Sequence, residues 1–177
     1  MKKHHLTLSA VRGIIYFSVL LLCSILQFII LPRTALPFPL LLLIPVTAAF
    51  TMHEKEFAGL FLGLLSGILW DAASPLTDGV YALIFPAIFL LTGLLTRYVL
   101  RNTCLTASLF TAVYSLIPSA LGLIYTKEKL TGALLADVIK SECIPAVITS
   151  VIILVPVYYL ASAIHRRFSA ERAKEVL

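Results

Sequence analysis

The chain has 177 residues, of which 60% are hydrophobic and only 13% are charged. Its mean hydropathy of +1.00 is more apolar than a soluble domain of this length needs to fill a core. The formal charge of +5 lies in short islands between apolar runs, where anionic lipid headgroups account for it, and no globular domain remains to bind nucleic acid. The composition is that of an integral membrane protein.

Six apolar runs follow one another along the chain, each near the length of about 20 residues that crosses a bilayer as a helix. They are continuously apolar rather than alternating, so we predict an all-α bundle and not a barrel. The third run is the shortest, since its uncharged part of about 14 residues covers roughly 21 Å. The whole chain, 1–177, forms one polytopic domain with predicted spans at 11–31, 36–52, 55–71, 80–100, 103–125 and 144–164.

Basic residues are distributed unequally between the two sides of this six-span topology. Because positive residues accumulate on the cytoplasmic side, both termini are predicted to lie in the cytoplasm. Ten basic residues fall on the side of the termini and four on the other: Lys2, Lys3, Arg12, Lys55, Arg97, Arg101, Arg166, Arg167, Arg172 and Lys174 against Arg33, Lys127, Lys129 and Lys140.

The longest connection contains apolar residues at helical spacing among charged ones. This pattern predicts an amphipathic helix over about 128–140. Such a helix would lie in the outer interface, cap the bundle or receive an extracytoplasmic partner.

The third run carries Gly59, Gly63 and Gly67 at four-residue spacing, joined by Ser66, and ends on Asp71. Small residues at this spacing let another helix approach closely, either from the same chain or from a partner. Asp71 is interpreted as the outer end of the helix. We expect its carboxylate to accept hydrogen bonds from the amides around Asp78 and Gly79.

A second stripe of small or weakly polar residues follows one face of the fifth run. Its members are typical of helix packing, with hydroxyl groups bonded to neighbouring carbonyls, although a polar groove for a ligand is the alternative. The stripe consists of Cys104, Ser108, Thr111, Ser115, Ser119 and Gly122.

The sequence offers little for catalysis or metal binding. Asp71 and Asp78 are separated by a turn rather than facing each other across a bundle, and the three cysteines are too scattered for a zinc site. The segment 53–56 lacks the second histidine of a helical zinc motif, so it is predicted to be a solvated loop, and His165 belongs to a charged tail. We therefore expect no enzyme and no cofactor.

The run GLFLGLLSGILWDAASPLTDGVYALIFPAIFLLTGLL, Gly59 to Leu95, resembles the signature of the rod-shape-determining protein MreD family. The shared features are a glycine-rich third span, an acid at its end, a short turn and a glycine that opens the fourth span. Gly63, Gly67, Asp71 and Gly79 match this motif. Length, six spans, a basic amino end and a charged carboxyl tail are similar as well.

The resemblance implies a non-catalytic component of the bacterial inner membrane that acts in cell elongation. Its partner would be the membrane-anchored MreC, and through it the MreB filament and the glycosyltransferase and transpeptidase pair that builds peptidoglycan. The fold of the family resembles the substrate-binding subunit of energy-coupling-factor vitamin transporters. A vitamin-binding subunit of that kind is therefore the alternative function.

Overall fold

We describe the chain from a computed structural model, in which residues 2–30, 41–54, 56–74, 79–126 and 139–174 are placed. All regular structure in these segments is helical. The predicted helix at 128–140 lies outside them, except for its last two residues. The helices are α1 (Lys2–Ile25, continued by a π-helical turn Leu26–Ile30), α2 (Leu43–His53), α3 (Glu56–Ala73), α4 (Val80–Tyr98), α5 (Cys104–Thr126) and α6 (Ile144–Lys174, preceded by a π-helical turn Ile139–Cys143).

Four apolar segments in the described residues are long enough to cross a membrane: Val11–Ile30, Val80–Tyr98, Cys104–Gly122 and Ile139–Arg166. The prediction of an all-α, multi-pass membrane protein is confirmed at this level. Two further apolar helices, Leu43–His53 and Phe57–Ala73, are shorter. The count of six spans therefore stays a prediction.

Helix α2 forms the centre of the bundle. Every residue from Leu43 to Met52 is buried, and α2 contacts each of the other five helices. A helix that is apolar on all sides is stable only when other elements surround it. The other helices expose large apolar side chains, such as Leu105 on α5 and Ile152 on α6, which suits a lipid environment.

The bundle has two distinct ends. Arg12 near the start of α1 meets Glu54 after α2, and His165 late in α6 lies beside them; we call this the termini end. At the other end, the rings of Phe28 and Trp70 are in edge-to-face contact, with centroids 5.3 Å apart. We call it the cap end, because two helix N-termini are capped there by side chains from other helices.

Candidate functional site

The glycine stripe of α3 lies directly against α4, which runs antiparallel to it. A methyl group added at any of the three glycines would press on the main chain of α4, so the backbones are in contact without an intervening side chain. The stripe is thus occupied from within the chain, and Ser66 beside it is fully buried. The added carbons would lie 2.5 Å from the Phe89 oxygen at Gly59, 2.6 Å from the Phe85 oxygen at Gly63, and 2.5 Å from the Tyr81 oxygen at Gly67.

The carboxylate of Asp71 caps α4 from the end of α3. Its Oδ2 accepts a hydrogen bond from the amide of Ala82 at 2.7 Å, and its Oδ1 accepts one from Tyr81 at 3.2 Å. These are first-turn amides with no partner inside their own helix, and the positive end of the helix dipole favours a negative acceptor. Among the residues that the structure describes, these bonds come from amides two and three residues after Gly79. Asp78 itself lies outside the described residues.

Gly79 is the residue that turns the chain into α4. Its φ of 82° is left-handed, a conformation that glycine adopts without steric cost. Because Gly79 carries no side chain, it supplies no cap of its own. The carboxylate of Asp71 takes that role.

A second cap of the same kind was not predicted. Gln27, buried in the π-helical turn after α1, accepts hydrogen bonds through Oε1 from the amides of Leu42 and Leu43, at 2.8 and 2.9 Å. These amides lie at the start of α2, so Gln27 caps α2 in the same way as Asp71 caps α4. In the sequence, the available sign of this cap was the amide side chain of Gln27 inside an apolar run.

Glu54 corrects the prediction of a solvated loop at 53–56. Its side chain is only 4% exposed, and its Oε2 lies 2.6 Å from Nη2 of Arg12. The hydroxyl of Tyr16 donates to its Oε1 at 2.7 Å, and Nδ1 of His165 lies 3.9 Å from the same oxygen. The burial arises because α1 and α6 converge on the end of α2. In the sequence, Glu54 follows the second predicted span and Arg12 lies within the first, and these opposite charges were the available sign of the ion pair.

Asn102, between α4 and α5, joins this cluster to the rest of the termini end. Its side-chain nitrogen donates to the main-chain oxygen of Met52 at 2.8 Å and lies 3.4 Å from Nδ1 of His53. The hydroxyl of Tyr158 donates to its side-chain oxygen at 2.9 Å. Four helices are therefore tied together at this end.

His53 lies just beyond the predicted span 36–52 and is neutral at physiological pH. Burial lowers its pKa to about 4, and the neighbouring charges of His165 and Arg166 act in the same direction. Within the described residues its Nε2 is buried without a hydrogen-bond partner. A proton added to this ring would be unfavourable.

The small-residue stripe of α5 faces the interior at its centre, where Thr111 and Ser115 are fully buried. Its serine hydroxyls donate to carbonyl oxygens of the same helix: Ser108 to Cys104 at 2.9 Å, Ser115 to Ala112 at 2.9 Å, and Ser119 to Ser115 at 3.3 Å. This is the arrangement of a packed helix face.

A groove of about 480 Å³ runs between α1 and α3. Arg12, Tyr16 and Glu54 form its polar end, and the remaining lining, from Ala58 to Ile68 on α3, is apolar. The Arg12 and Glu54 pair thus stands at the mouth of an apolar channel. None of the residues predicted as a site lines this groove.

Among the residues that the structure describes, no three or more His, Cys, Asp or Glu side chains are grouped so as to hold a metal ion. In comparisons with known proteins, no family model, curated protein or solved structure matches the chain.

Proposed function

We propose that the chain is a non-catalytic membrane scaffold of the bacterial cell-elongation machinery, involved in the regulation of cell shape and peptidoglycan synthesis. Its direct partner is an MreC-type membrane-anchored protein, and through it MreB filaments and the elongation glycosyltransferase and transpeptidase pair. The observation that supports the proposal is that polar side chains inside the bundle hold its helices together. Asp71 and Gln27 cap helices, and Glu54 ties two spans together, as a rigid support requires.

We further propose six crossings, in the inner membrane, with both termini in the cytoplasm. Helix α3 contacts α4 backbone to backbone from Gly59 to Gly67 and runs antiparallel to it. Since α4 is long enough to cross, α3 beside it crosses as well. Helix α2 is enclosed by the others and links α1 to α3, which fits a crossing in the opposite direction. The unequal distribution of basic residues supports the orientation.

This scaffold presents its partner with a face other than the glycine stripe. The stripe is filled by α4, so a partner's helix cannot enter there without separating α3 from α4. The glycines then serve partner binding indirectly, by setting the shape of the α3 and α4 pair. A substitution at Gly63 acts through the fold.

The decisive experiment is depletion of the chain in the rod-shaped bacterium that encodes it, followed by microscopy and by uptake assays for vitamins. Rounding and swelling of the cells, with co-purification of an MreC-type protein, are the expected results. Unaltered shape with loss of vitamin uptake would replace the proposal by the transporter function.

A matched pair of variants refines this test. Gly63→Leu is expected to fail to restore rod shape, whereas Gly122→Leu restores it, because no atom of the described residues lies within 4 Å of a Cβ at Gly122. Both variants must insert to wild-type levels for the comparison to count. Restoration of shape by Gly63→Leu would contradict the role given to the α3 and α4 contact.

A further inference from the structure

The groove between α1 and α3 has the dimensions of a narrow channel. Its lining on α3 runs from Ala58 to Ile68, which are ten helical steps or about 15 Å apart. Its volume along that length is about 480 Å³. The groove is an elongated slot that is open at the protein surface, and it accommodates a hydrocarbon chain whose carbons pack about 4 Å from the atoms of the walls.

The walls are suited to a hydrocarbon chain. Leu62 is 8% exposed and forms part of the floor, while Phe17 and Phe61 stand at the rim with 46% and 68% exposure. A side chain added at Gly13 would meet no atom within 4 Å at its Cβ, so the channel is open beside α1. Filling such a channel buries apolar surface and restores the van der Waals contacts that the walls lack.

The polar end supplies a fixed cation. Arg12 uses Nη2 for its ion pair with Glu54, and a guanidinium has five N–H donors. The buried carboxylate of Glu54 holds the guanidinium in place, and the remaining donors suit a phosphate oxygen.

The surrounding charge is also complementary to an anion. In the sequence, three further basic residues, Lys2, Lys3 and Lys55, lie close to Arg12 and Glu54, against one further acid, Glu56. An excess of basic residues near the membrane surface favours an anionic headgroup over a zwitterionic one.

We propose that this groove is a binding site for one anionic phospholipid, with its phosphate at Arg12 and one acyl chain along α3 toward Ile68. The lipid fills the gap between α1 and α3 and so fixes α1 against the rest of the bundle. This inference is independent of the role in cell elongation.

The test uses the full chain, reconstituted in bilayers of equal parts phosphatidylcholine and phosphatidylglycerol and then examined by native mass spectrometry in mild detergent. The expected result is one phosphatidylglycerol retained per chain. Gly13→Phe, which fills the channel, is expected to lower its occupancy about tenfold, while Gly122→Phe leaves it unchanged.

A second variant addresses the headgroup. Arg12→Gln combined with Glu54→Gln removes both charges together, and we expect it to weaken phosphatidylglycerol about tenfold without leaving a buried charge unpaired. Equal retention of phosphatidylcholine and phosphatidylglycerol by the unaltered chain would overturn the proposal. Retention of no lipid would overturn it as well. So would a Phe61→Cys variant that cross-links through the groove to a second copy of the chain or to another protein's helix.

Discussion

Asp71 accepts a hydrogen bond from the amide of Ala82 at 2.7 Å, across the turn that joins α3 to α4. The acid at the end of the apolar run therefore serves the next helix rather than its own. Gln27 does the same for the amides of Leu42 and Leu43 at the start of α2. Both caps lie at one end of the bundle, and each supplies an acceptor to first-turn amides that have none within their own helix.

Replacing Asp71 by Ala removes the acceptor for two amides at the positive end of α4. We expect the free energy of unfolding to fall by about 1–2 kcal/mol, the usual cost of losing a helix cap. Asp71→Asn keeps one acceptor oxygen and should lose less. The measurement is unfolding of the purified protein by titration from mild detergent into sodium dodecyl sulfate. Equal midpoints for Asp71→Ala and the unaltered chain would show that the cap contributes nothing.

The contact at Gly63 gives a second prediction. Gly63→Ala places a carbon 2.6 Å from the Phe85 oxygen, a main-chain atom that cannot rotate away, so α3 and α4 must separate. We expect a loss of about 1–3 kcal/mol, as for overpacked cores.

Gly122→Ala is the matched control for that variant. It also adds one carbon within a helix, but no atom of the described residues lies within 4 Å of that carbon. Its stability should stay equal or rise by up to about 1 kcal/mol, since alanine favours helix over glycine. The same detergent titration compares the two variants, and equal behaviour would argue against a tight α3 and α4 contact.

The features that the sequence predicts well are those that depend on local spacing. Apolar runs indicated the helices, and the four-residue interval of Gly59, Gly63 and Gly67 indicated a close helix contact. Asp71 was identified as a helix end because a charge terminates an apolar run. In each case the relevant residues lie within a few turns of one helix.

The features that were missed depend on how distant segments meet. Tyr16 and Glu54 are 38 positions apart, and their hydrogen bond exists because α1 and α2 lie side by side. Glu54 lies among charged residues in the sequence, so its side chain was expected to be exposed. In the structure it is buried and paired with Arg12 of α1. The bonds from Tyr81 and Ala82 to Asp71 likewise depend on the geometry of the turn, which the spacing of residues does not give.

The pair formed by Arg12 and Glu54 leads to a third prediction. Glu54→Leu leaves a guanidinium, 17% exposed, without the carboxylate that neutralises it. Removing one member of a buried pair costs about 3–5 kcal/mol. Combining Glu54→Leu with Arg12→Met should recover part of this loss, because no charge then remains buried. A double-mutant cycle in the detergent titration measures the coupling, and strict additivity of the two losses would contradict the pairing.

The stability of the bundle should fall in mild acid because of His53. Burial lowers its pKa to about 4 in the folded protein, against an ordinary value of 6.5. Between these two values the unfolded chain binds a proton that the folded chain does not, so lowering the pH favours unfolding. The loss begins near pH 6.5 and grows until about pH 4. Detergent titrations at neutral pH and at about pH 5 measure this loss of stability.

His53→Gln isolates this contribution, because glutamine does not titrate while His165 and Arg166 remain in place. The variant should lose less stability than the unaltered chain between neutral pH and about pH 5. The direction follows from the neutral state of the ring, whose protonation is opposed first by burial and then by the neighbouring His165 and Arg166. An equal acid-induced loss in both proteins would assign the pH dependence to groups other than His53.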